Sequence, residues 1–319
     1  MEKNLVSLIA PFYNGEEYLA RFLVSILKQT YKNVQFILIN DGSKDRSDDI
    51  VEEYRRDLTE SFYEFIYLKK INEGAASAVN LALKYVKGEY LCWADCDDEM
   101  LPDNILLKLR FLQENEQYGM VNCGAVAVDE SNGETIKDLS IPIKERNDNM
   151  FEKIIAGIPV YPGVFMLRSQ LLFEKISNRE IYFNREAGQN YQLLLPVAYD
   201  NKCGFIDDIL YKYYIRSDSH SHDVDYKKSY ERTYVREMLL DKVLTFMDET
   251  EKKTLMQQIK CESSTCRFNM AFQADDKYKA NESFDELKLY SVSLKNYMKH
   301  LIINCKLLNK FYRLRGNRK

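Results

Sequence analysis

The sequence predicts an α/β fold with a mostly parallel sheet flanked by helices, followed by a helical C-terminal extension. Over about the first 110 residues, short apolar runs rich in strand formers alternate with segments of helical periodicity, the pattern of strand–helix–strand units. From about residue 225 the pattern is helical to the end. We therefore expect one domain over residues 1–224, with halves at about 1–110 and 111–224, and a helical region over 225–319.

The first half provides the clearest element signals. A strand is expected over residues 5–10, where an apolar run ends at Pro11. Asn14 and Glu17 then have the spacing of a capping box, which predicts that the first helix begins there. The other elements expected in this half are a strand over 34–39, a helix over 47–56, a strand over 65–68, a helix over 75–86 and a strand over 89–94.

Three loops of this half are expected to share one crevice. Ligands of open α/β sheets bind at the carboxyl ends of the strands. Residues 11–17, 40–43 and 95–98 follow the first, second and fourth predicted strands, so these segments should lie at the same edge of the sheet.

The second half is less regular. Strands are expected over 121–128 and 164–167, with a hairpin-type turn over 131–134. In the helical region, Ser283 and Glu286 have capping-box spacing and predict the start of the last long helix.

Composition and charge exclude several classes of protein. With 45% hydrophobic and 29% charged residues, the chain is not depleted in apolar residues as disordered proteins are. The formal net charge of −4 argues against nucleic-acid binding, which needs a basic excess. Seven cysteines, odd in number and without zinc-site spacing, predict reduced thiols in a cytoplasmic protein. Neither a signal peptide nor a membrane span is expected from the apolar runs of the sequence.

The acidic run from Asp95 to Glu99 follows directly on an apolar predicted strand. Crowded carboxylates are costly unless a cation lies among them, and hard oxygen ligands suit Mg²⁺ or Mn²⁺. This favours Asp95 and Asp97 as metal ligands. For Asp98 and Glu99 an equally good alternative is that they cap the following helix.

For the other candidate residues, the sequence alone gives weaker evidence of a functional role. Asp41, at the end of the second predicted strand, could bind a base or ribose, but it could also be only a turn residue. The loop at residues 72–74 could approach a ligand closely or be only a loop. His220 and His222 could bind a metal and Arg216 a phosphate, although loop histidines are more often simply solvated.

Four segments taken in order resemble the family 2 glycosyltransferases, which have the Rossmann-like GT-A fold. They read VSLIAPFYNGEEYL, ILINDGSKDRS, INEGAASAVN and KGEYLCWADCDDEMLPD, and they lie within about the first 110 residues. The resemblance implies an inverting transfer of a sugar from a nucleotide donor, usually UDP-linked, with Mn²⁺ or Mg²⁺ as cofactor.

The resemblance also assigns roles to residues. It implies that Asp95 and Asp97 form the family's DxD motif, with Asp97 as the direct metal ligand, and that His220 and His222 in the closing loop contact metal or phosphate. The nucleotide-binding candidates are Pro11, Phe12, Tyr13, Glu17, Asp41, Asn72, Gly74, Ala78, Asp95, Cys96 and Arg216.

The sequence departs from the family where the catalytic base is expected. The family has a Glu-Asp pair after a glycine, whereas this chain has Gln189 and Asn190. An amide cannot accept a proton at neutral pH, so Asn190 can orient an acceptor but cannot be the base. Glu186, Asp98 and Asp208 are the alternatives. Val79 also replaces an arginine that is common in the family.

The C-terminal 25 residues form a basic amphipathic segment. Residues 295–319 contain eight Lys or Arg and no acidic residue, interleaved with large apolar side chains. One interpretation is contact with an anionic membrane surface, in which case the acceptor would be lipid-linked and the protein peripheral on the inner face of the plasma membrane. The equal alternative is a helix packed on the protein's own acidic domain.

The acidic run favours a metal-dependent enzyme, and the resemblance implies a glycosyltransferase that uses a UDP-sugar and a glycan or lipid-linked acceptor. By analogy with the family, we expect a role in bacterial surface polysaccharide synthesis. A nucleotidyltransferase is disfavoured because no Gly-rich phosphate loop with a Lys or Arg is present. The main alternative is a non-catalytic sugar-nucleotide-binding protein that lacks the base. Whether the chain forms a homo-oligomer is left open.

Overall fold

The chain folds into two compact units, Met1–Ser219 and His220–Lys319. The computed structural model describes residues 1–146, 149–183, 188–215 and 225–316.

The first part of the first unit alternates strands and helices, as the sequence predicts. Its elements are β1 (Glu2–Phe12), α1 (Leu19–Leu27), β2 (Val34–Asn40), α2 (Ser47–Ser61), β3 (Glu64–Lys69), α3 (Ala75–Leu83) and β4 (Gly88–Trp93). The pairs β1–β2, β1–β4 and β2–β3 are parallel. Every residue of β2 is buried, as expected for a strand covered on both faces.

The second part of this unit completes a mixed sheet. Its elements are β5 (Glu99–Met100), α4 (Asn104–Glu114), β6 (Tyr118–Asp129), β7 (Thr135–Asp138), α5 (Met150–Ile155), β8 (Phe165–Arg168), α6 (Ser169–Lys175), α7 (Gln189–Asp200) and β9 (Lys202–Ile215), with a 3₁₀ turn at Ile143–Glu145. The sheet order is β3-β2-β1-β4-β8-β6-β9-β5, and β7 pairs with β6. Strand β8 is antiparallel to both β4 and β6. The predicted α/β class is therefore confirmed, with antiparallel pairs added in the second half.

The second unit is helical, as predicted. It contains α8 (Tyr226–Val243), a 3₁₀ turn (Leu244–Phe246), α9 (Glu249–Gln273), α10 (Lys277–Lys288), α11 (Leu294–Asn304) and α12 (Lys306–Gly316). Its core includes Tyr230, Phe268 and Phe284. Buried Arg267 donates to Glu237 at 2.5 Å and to Glu286 at 2.8 Å, so the charge inside this unit is paired, as a buried charge must be.

The capping box predicted from Asn14 and Glu17 is wrong. Helix α1 begins at Leu19, and its N-cap residue Tyr18 makes no side-chain cap hydrogen bond. The Asn14 side chain instead accepts a hydrogen bond from the Lys44 backbone N–H at 2.9 Å. A partner far away in sequence thus takes the side chain that local spacing assigned to the helix.

The capping box predicted from Ser283 and Glu286 is also wrong, because both residues lie inside α10. Ser283 Oγ is 2.7 Å from the Tyr230 hydroxyl, and Glu286 pairs with Arg267. The N-cap of α10 is Asp276, whose side chain accepts from the Lys279 backbone N–H.

All seven cysteines are free thiols, in keeping with the predicted reduced state. Within the described helices, none combines the length and the apolar composition needed to cross a bilayer.

Candidate active site

The carboxyl ends of β1, β2 and β4 bring three predicted loops to one edge of the sheet. Phe12, the last residue of β1, pairs with Asn40, the last residue of β2. The Asp41 backbone N–H then donates to the Phe12 carbonyl at 2.9 Å. Strand β4 ends at Trp93, which pairs with Ile9 of β1. The loops that follow these strands therefore begin side by side, as the sequence predicts.

Three carboxylates cluster directly after β4. One oxygen each from Asp95, Asp97 and Asp98 lies within 4.8 Å of the others. Burial, followed by the nearby Asp97 charge, raises the pKa of Asp95 to about 7. Like charges held so close in a partly buried loop favour a cation among them, and three carboxylates are a hard-oxygen donor set that fits Mg²⁺ or Mn²⁺.

Asp98 differs from its two neighbours because its carboxylate already has protein donors. It is 1% exposed and accepts from the Tyr211 hydroxyl at 2.7 Å and from the Tyr214 backbone N–H at 3.0 Å. Burial and the charges of Asp97 and Asp95 raise its pKa well above the ordinary value, although these two hydrogen bonds oppose the shift. The geometry favours a structural role for Asp98 over the predicted catalytic one.

Cys96 lies between the acidic residues but is itself buried. Burial and then the surrounding carboxylates raise the pKa of its thiol well above the ordinary value. The side chain is therefore a neutral thiol and a poor metal ligand.

Asp41 is 3% exposed and holds the loop between β3 and α3. Its carboxylate accepts from Lys70 Nζ at 2.9 Å, from the Glu73 backbone N–H at 3.2 Å and from the Gly74 backbone N–H at 2.7 Å. Gly42 is left-handed, with φ +76°. Asp41 therefore positions the loop that contains the predicted nucleotide-binding residues Asn72 and Gly74.

The loop after β1 is bonded to the loop after β2. The backbone N–H groups of Asn14, Gly15 and Glu16 donate to Ser43, Ser47 and Asp45 respectively, at 2.7–2.9 Å. Tyr13, beside this bonded stretch, is 43% exposed. An aromatic side chain on a fixed backbone beside the crevice is suited to stack on a base.

Asn190 is the second residue of α7, and its side chain contacts the end of β4, the strand that leads into the acidic cluster. Its Oδ1 accepts from the Trp93 indole N–H at 2.8 Å, and its Nδ2 donates to the Val160 carbonyl at 3.4 Å. These contacts fix the orientation of the amide. The residue that the resemblance places at the position of the base is therefore a neutral amide bonded to the end of β4.

The remaining predicted site residues differ in their exposure to solvent. Ala78 is fully buried on α3, Pro11 is half-buried and Glu17 is exposed. Asp208, the other alternative base, is exposed on β9. Glu186, Arg216, His220 and His222 lie outside the described residues, so their roles stay predictions.

Sequence reasoning missed three residues that surround the cluster. Arg21 donates to the Asp97 backbone carbonyl at 2.6 Å, and Tyr211 and Tyr214 bond to Asp98. Arg21 lies on the side of α1 opposite its buried face, so in the sequence it has the pattern of an ordinary surface arginine. The two tyrosines lie in a tyrosine-rich strand and give no local signal.

The first half of the chain matches a family model. The model described as glycosyl transferase family 2 matches residues 7–177, more than half of the chain. This chain belongs to glycosyl transferase family 2. The predicted family is therefore confirmed, and the acidic cluster stands where the family's DxD motif was expected.

Curated relatives agree with the family. An uncharacterized glycosyltransferase of Rickettsia typhi is 33% identical over 180 residues, covering 54% of this chain and 52% of that protein. The minor teichoic acid biosynthesis protein GgaB of Bacillus subtilis is 28% identical over 221 residues, covering 67% of this chain and 23% of that protein. The chain thus spans about half the length of the first of these relatives and less of the second.

Solved structures share the fold. S. aureus TarS 1–349 in complex with UDP-GlcNAc aligns with a TM-score of 0.60 and 19% identity, covering 97% of this chain and 91% of that one. The mannosyltransferase PcManGT from Pyrobaculum calidifontis, in complex with GDP-Man and Mn²⁺, aligns with a TM-score of 0.55 and 13% identity, covering 98% and 84%. The GT-A fold predicted for the glycosyltransferase is confirmed.

Proposed function

We propose that this glycosyltransferase moves a sugar from a UDP-sugar to a hydroxyl of a glycan or lipid-linked acceptor, with inversion at the anomeric carbon. The observation that carries the proposal is the cluster of Asp95, Asp97 and Asp98, within 4.8 Å of one another at the carboxyl end of β4. The cluster lies at the sheet edge where ligands bind in α/β folds.

The donor class is supported by the fold and by the loops around the cluster. The similar structures contain UDP-GlcNAc in TarS and GDP-Man in PcManGT. In this chain the exposed Tyr13 ring and the loop held by Asp41 offer a stacking surface and backbone groups for a nucleoside. The similarity to GgaB, a teichoic acid biosynthesis protein, supports a role in bacterial surface polysaccharide synthesis.

Asp95 and Asp97 are proposed to hold Mn²⁺ or Mg²⁺. When bound, the ion neutralises the diphosphate that leaves the sugar, acting as a Lewis acid. The protein's part is to keep the carboxylates close together before the ion arrives. Asp98 contributes indirectly by fastening the acidic loop, residues 95–99, to β9 through Tyr211 and Tyr214.

The acceptor hydroxyl must lose a proton during the transfer. Asn190 cannot accept it, and its amide is oriented by Trp93. We assign Asn190 to positioning the acceptor, and the candidates for the base stay Glu186, Asp98 and Asp208, of which Asp98 is the one that the geometry disfavours. The alternative function is binding of UDP-sugars without catalysis. The neutral Asn190 favours it, because an amide cannot serve as the base.

The test is UDP release from a panel of UDP-sugars with Mn²⁺ and without acceptor. Slow hydrolysis of one donor, absent in EDTA, is the expected result and identifies the sugar. Tight UDP binding without hydrolysis of any donor would instead indicate either that transfer needs the missing acceptor or that the non-catalytic alternative holds. Absence of both binding and hydrolysis would contradict the proposed function.

We further propose that the basic C-terminal segment contacts an anionic membrane surface. On α11 the apolar side chains of Leu294, Met298 and Leu301 are 80%, 51% and 55% exposed, and Leu307 of α12 is 70% exposed. Leu294, Met298 and Leu301 recur at helical spacing on one face. Lys295 of α11 and Lys306 and Lys310 of α12 are also exposed, so apolar insertion and charge attraction would act together.

Vesicle sedimentation tests the membrane proposal. The protein should bind vesicles that contain phosphatidylglycerol but not vesicles of phosphatidylcholine alone, and high salt should release it. Leu301→Ser should weaken binding about tenfold, because one buried leucine contributes about 1.5 kcal/mol or more. Leu289→Ser, at a residue 78% exposed but outside the basic segment, is the matched control. Equal binding by both variants and the wild type would contradict the proposal.

A further inference from the structure

Tyr214, the second-last residue of β9, is held from three directions. The Arg21 guanidinium lies over its ring, with Cζ 3.7 Å from the ring centroid. Its backbone N–H donates to Asp98 at 3.0 Å, and its hydroxyl donates to Glu99 at 3.0 Å. Helix α1, strand β9 and the acidic loop therefore meet at Tyr214.

Arg21 also fixes the backbone of the acidic loop. One of its terminal nitrogens donates to the Asp97 carbonyl at 2.6 Å, and the other pairs with Glu130 at 2.8 Å. The Arg21 side chain is 29% exposed, which protects these contacts from much of the screening that weakens surface pairs. The peptide bond between Asp97 and Asp98 is thereby tied to α1.

Glu99 completes the attachment. Besides the Tyr214 hydroxyl, it accepts from Lys212 Nζ at 3.1 Å, and residues 99 and 100 pair with β9 as strand β5. Burial and the hydrogen bond to Glu99 raise the pKa of Tyr214 to about 12, so the hydroxyl keeps its proton and remains the donor. Each of residues 97–99 of the acidic loop is thus bonded to a residue of α1 or β9.

We propose that Arg21 and Tyr214 are positioning residues that hold the acidic loop in the geometry that binds the cation and the donor diphosphate. This inference rests on the proposed function, because it concerns the same cluster. Three carboxylates within 4.8 Å repel one another, so a free loop would open before the ion arrives. Contacts to the loop backbone oppose that opening and leave less ordering to be done on binding.

Calorimetric titration of UDP in the presence of Mn²⁺ tests the role of Arg21. Arg21→Met keeps a long unbranched side chain but loses the stack on Tyr214 and the donor to Asp97. We expect UDP affinity to fall about tenfold, with a thermal unfolding midpoint close to that of the wild type. Arg21→Lys, which keeps a charged donor, should recover part of the loss.

Arg55→Met is the matched control. Arg55 also pairs with a carboxylate, that of Glu52, and lies over an aromatic ring, that of Tyr67 at 5.5 Å, but its contacts are on α2 and β3. This variant should bind UDP as the wild type does. Equal losses in the two methionine variants would overturn the inference, because they would show a general effect of losing a stacked arginine.

Tyr214→Phe gives a second, milder test. It removes only the hydroxyl bond to Glu99 and leaves the ring under Arg21, so we expect about a threefold loss of UDP affinity. Wild-type affinity in both Arg21→Met and Tyr214→Phe would overturn the inference.

The single tryptophan, Trp93, separates this inference from the proposed function. It lies two residues before Asp95, so Mn²⁺ bound at the cluster should quench its fluorescence. If the wild type binds Mn²⁺ but no UDP, the proposed donor is wrong, while a higher Mn²⁺ requirement for quenching in Arg21→Met would still support positioning. A wild type that binds no Mn²⁺ would overturn both.

Discussion

Asp97→Asn is expected to lower Mn²⁺-dependent hydrolysis of the donor by about 100- to 1,000-fold, the usual cost of removing a group that stabilises developing charge. Asparagine has nearly the shape of aspartate, but it carries no charge for the cation. After burial, the charge of Asp97 is the largest cause of the raised pKa of both Asp95 and Asp98, so the substitution relieves repulsion inside the cluster. The folded protein should therefore be at least as stable as the wild type.

The measurement is UDP release from the hydrolysed donor, with the thermal unfolding midpoint recorded for the same samples. Asp57→Asn is the control, because it removes one exposed charge from α2 without touching the cluster. Activity lost together with stability would indicate misfolding and contradict the assigned role. Activity equal to that of the control would mean that Asp97 does not hold the ion.

Gly42→Ala is expected to destabilise the protein by about 3 kcal/mol, which combines left-handed strain with a steric clash. Gly42 has φ +76°, and a Cβ there would lie 2.6 Å from the Asn72 backbone nitrogen and 3.1 Å from the Lys70 carbonyl oxygen. Relief of the clash would move the loop that Asp41 holds at Gly74. UDP affinity should therefore fall together with stability.

Gly133→Ala separates the two costs of the Gly42 substitution. Gly133 has φ +74°, and a Cβ added there would have no described atom within 4 Å, so alanine adds strain without a clash and should cost about 1 kcal/mol. Urea unfolding of both variants gives the comparison. Equal losses of stability would contradict the close approach of the two loops at Gly42.

Many elements of the first unit could be predicted because they depend on patterns among residues that are close together in the sequence. The buried strand β2 appears in the sequence as residues 34–39, which are apolar at all but one position. The turn after it appears as Asn-Asp-Gly. The strand ends then placed the acidic run and Asp41 at one edge of the sheet by topology alone. The position of the cluster therefore followed from the pattern without knowledge of any distance.

The partners of individual side chains could not be predicted, because they come from distant segments. Asn14 has the spacing of a helix cap, yet it bonds to Lys44 on the next loop. Asp95 and Asp98 are close in sequence, but it is Asp98 that accepts from Tyr211 and Tyr214. Sequence periodicity cannot predict such pairings, since they depend on which strands are neighbours in the folded sheet.

Binding of UDP with and without Mn²⁺, measured by calorimetry on the wild-type protein, tests the central claim most directly. The claim is that the carboxylates after β4 hold a divalent cation that in turn binds a nucleoside diphosphate. We predict that UDP binds in Mn²⁺, that binding is lost in EDTA, and that Asp97→Asn abolishes the Mn²⁺ dependence. UDP binding of equal strength in EDTA, or no binding in either condition, would contradict the account.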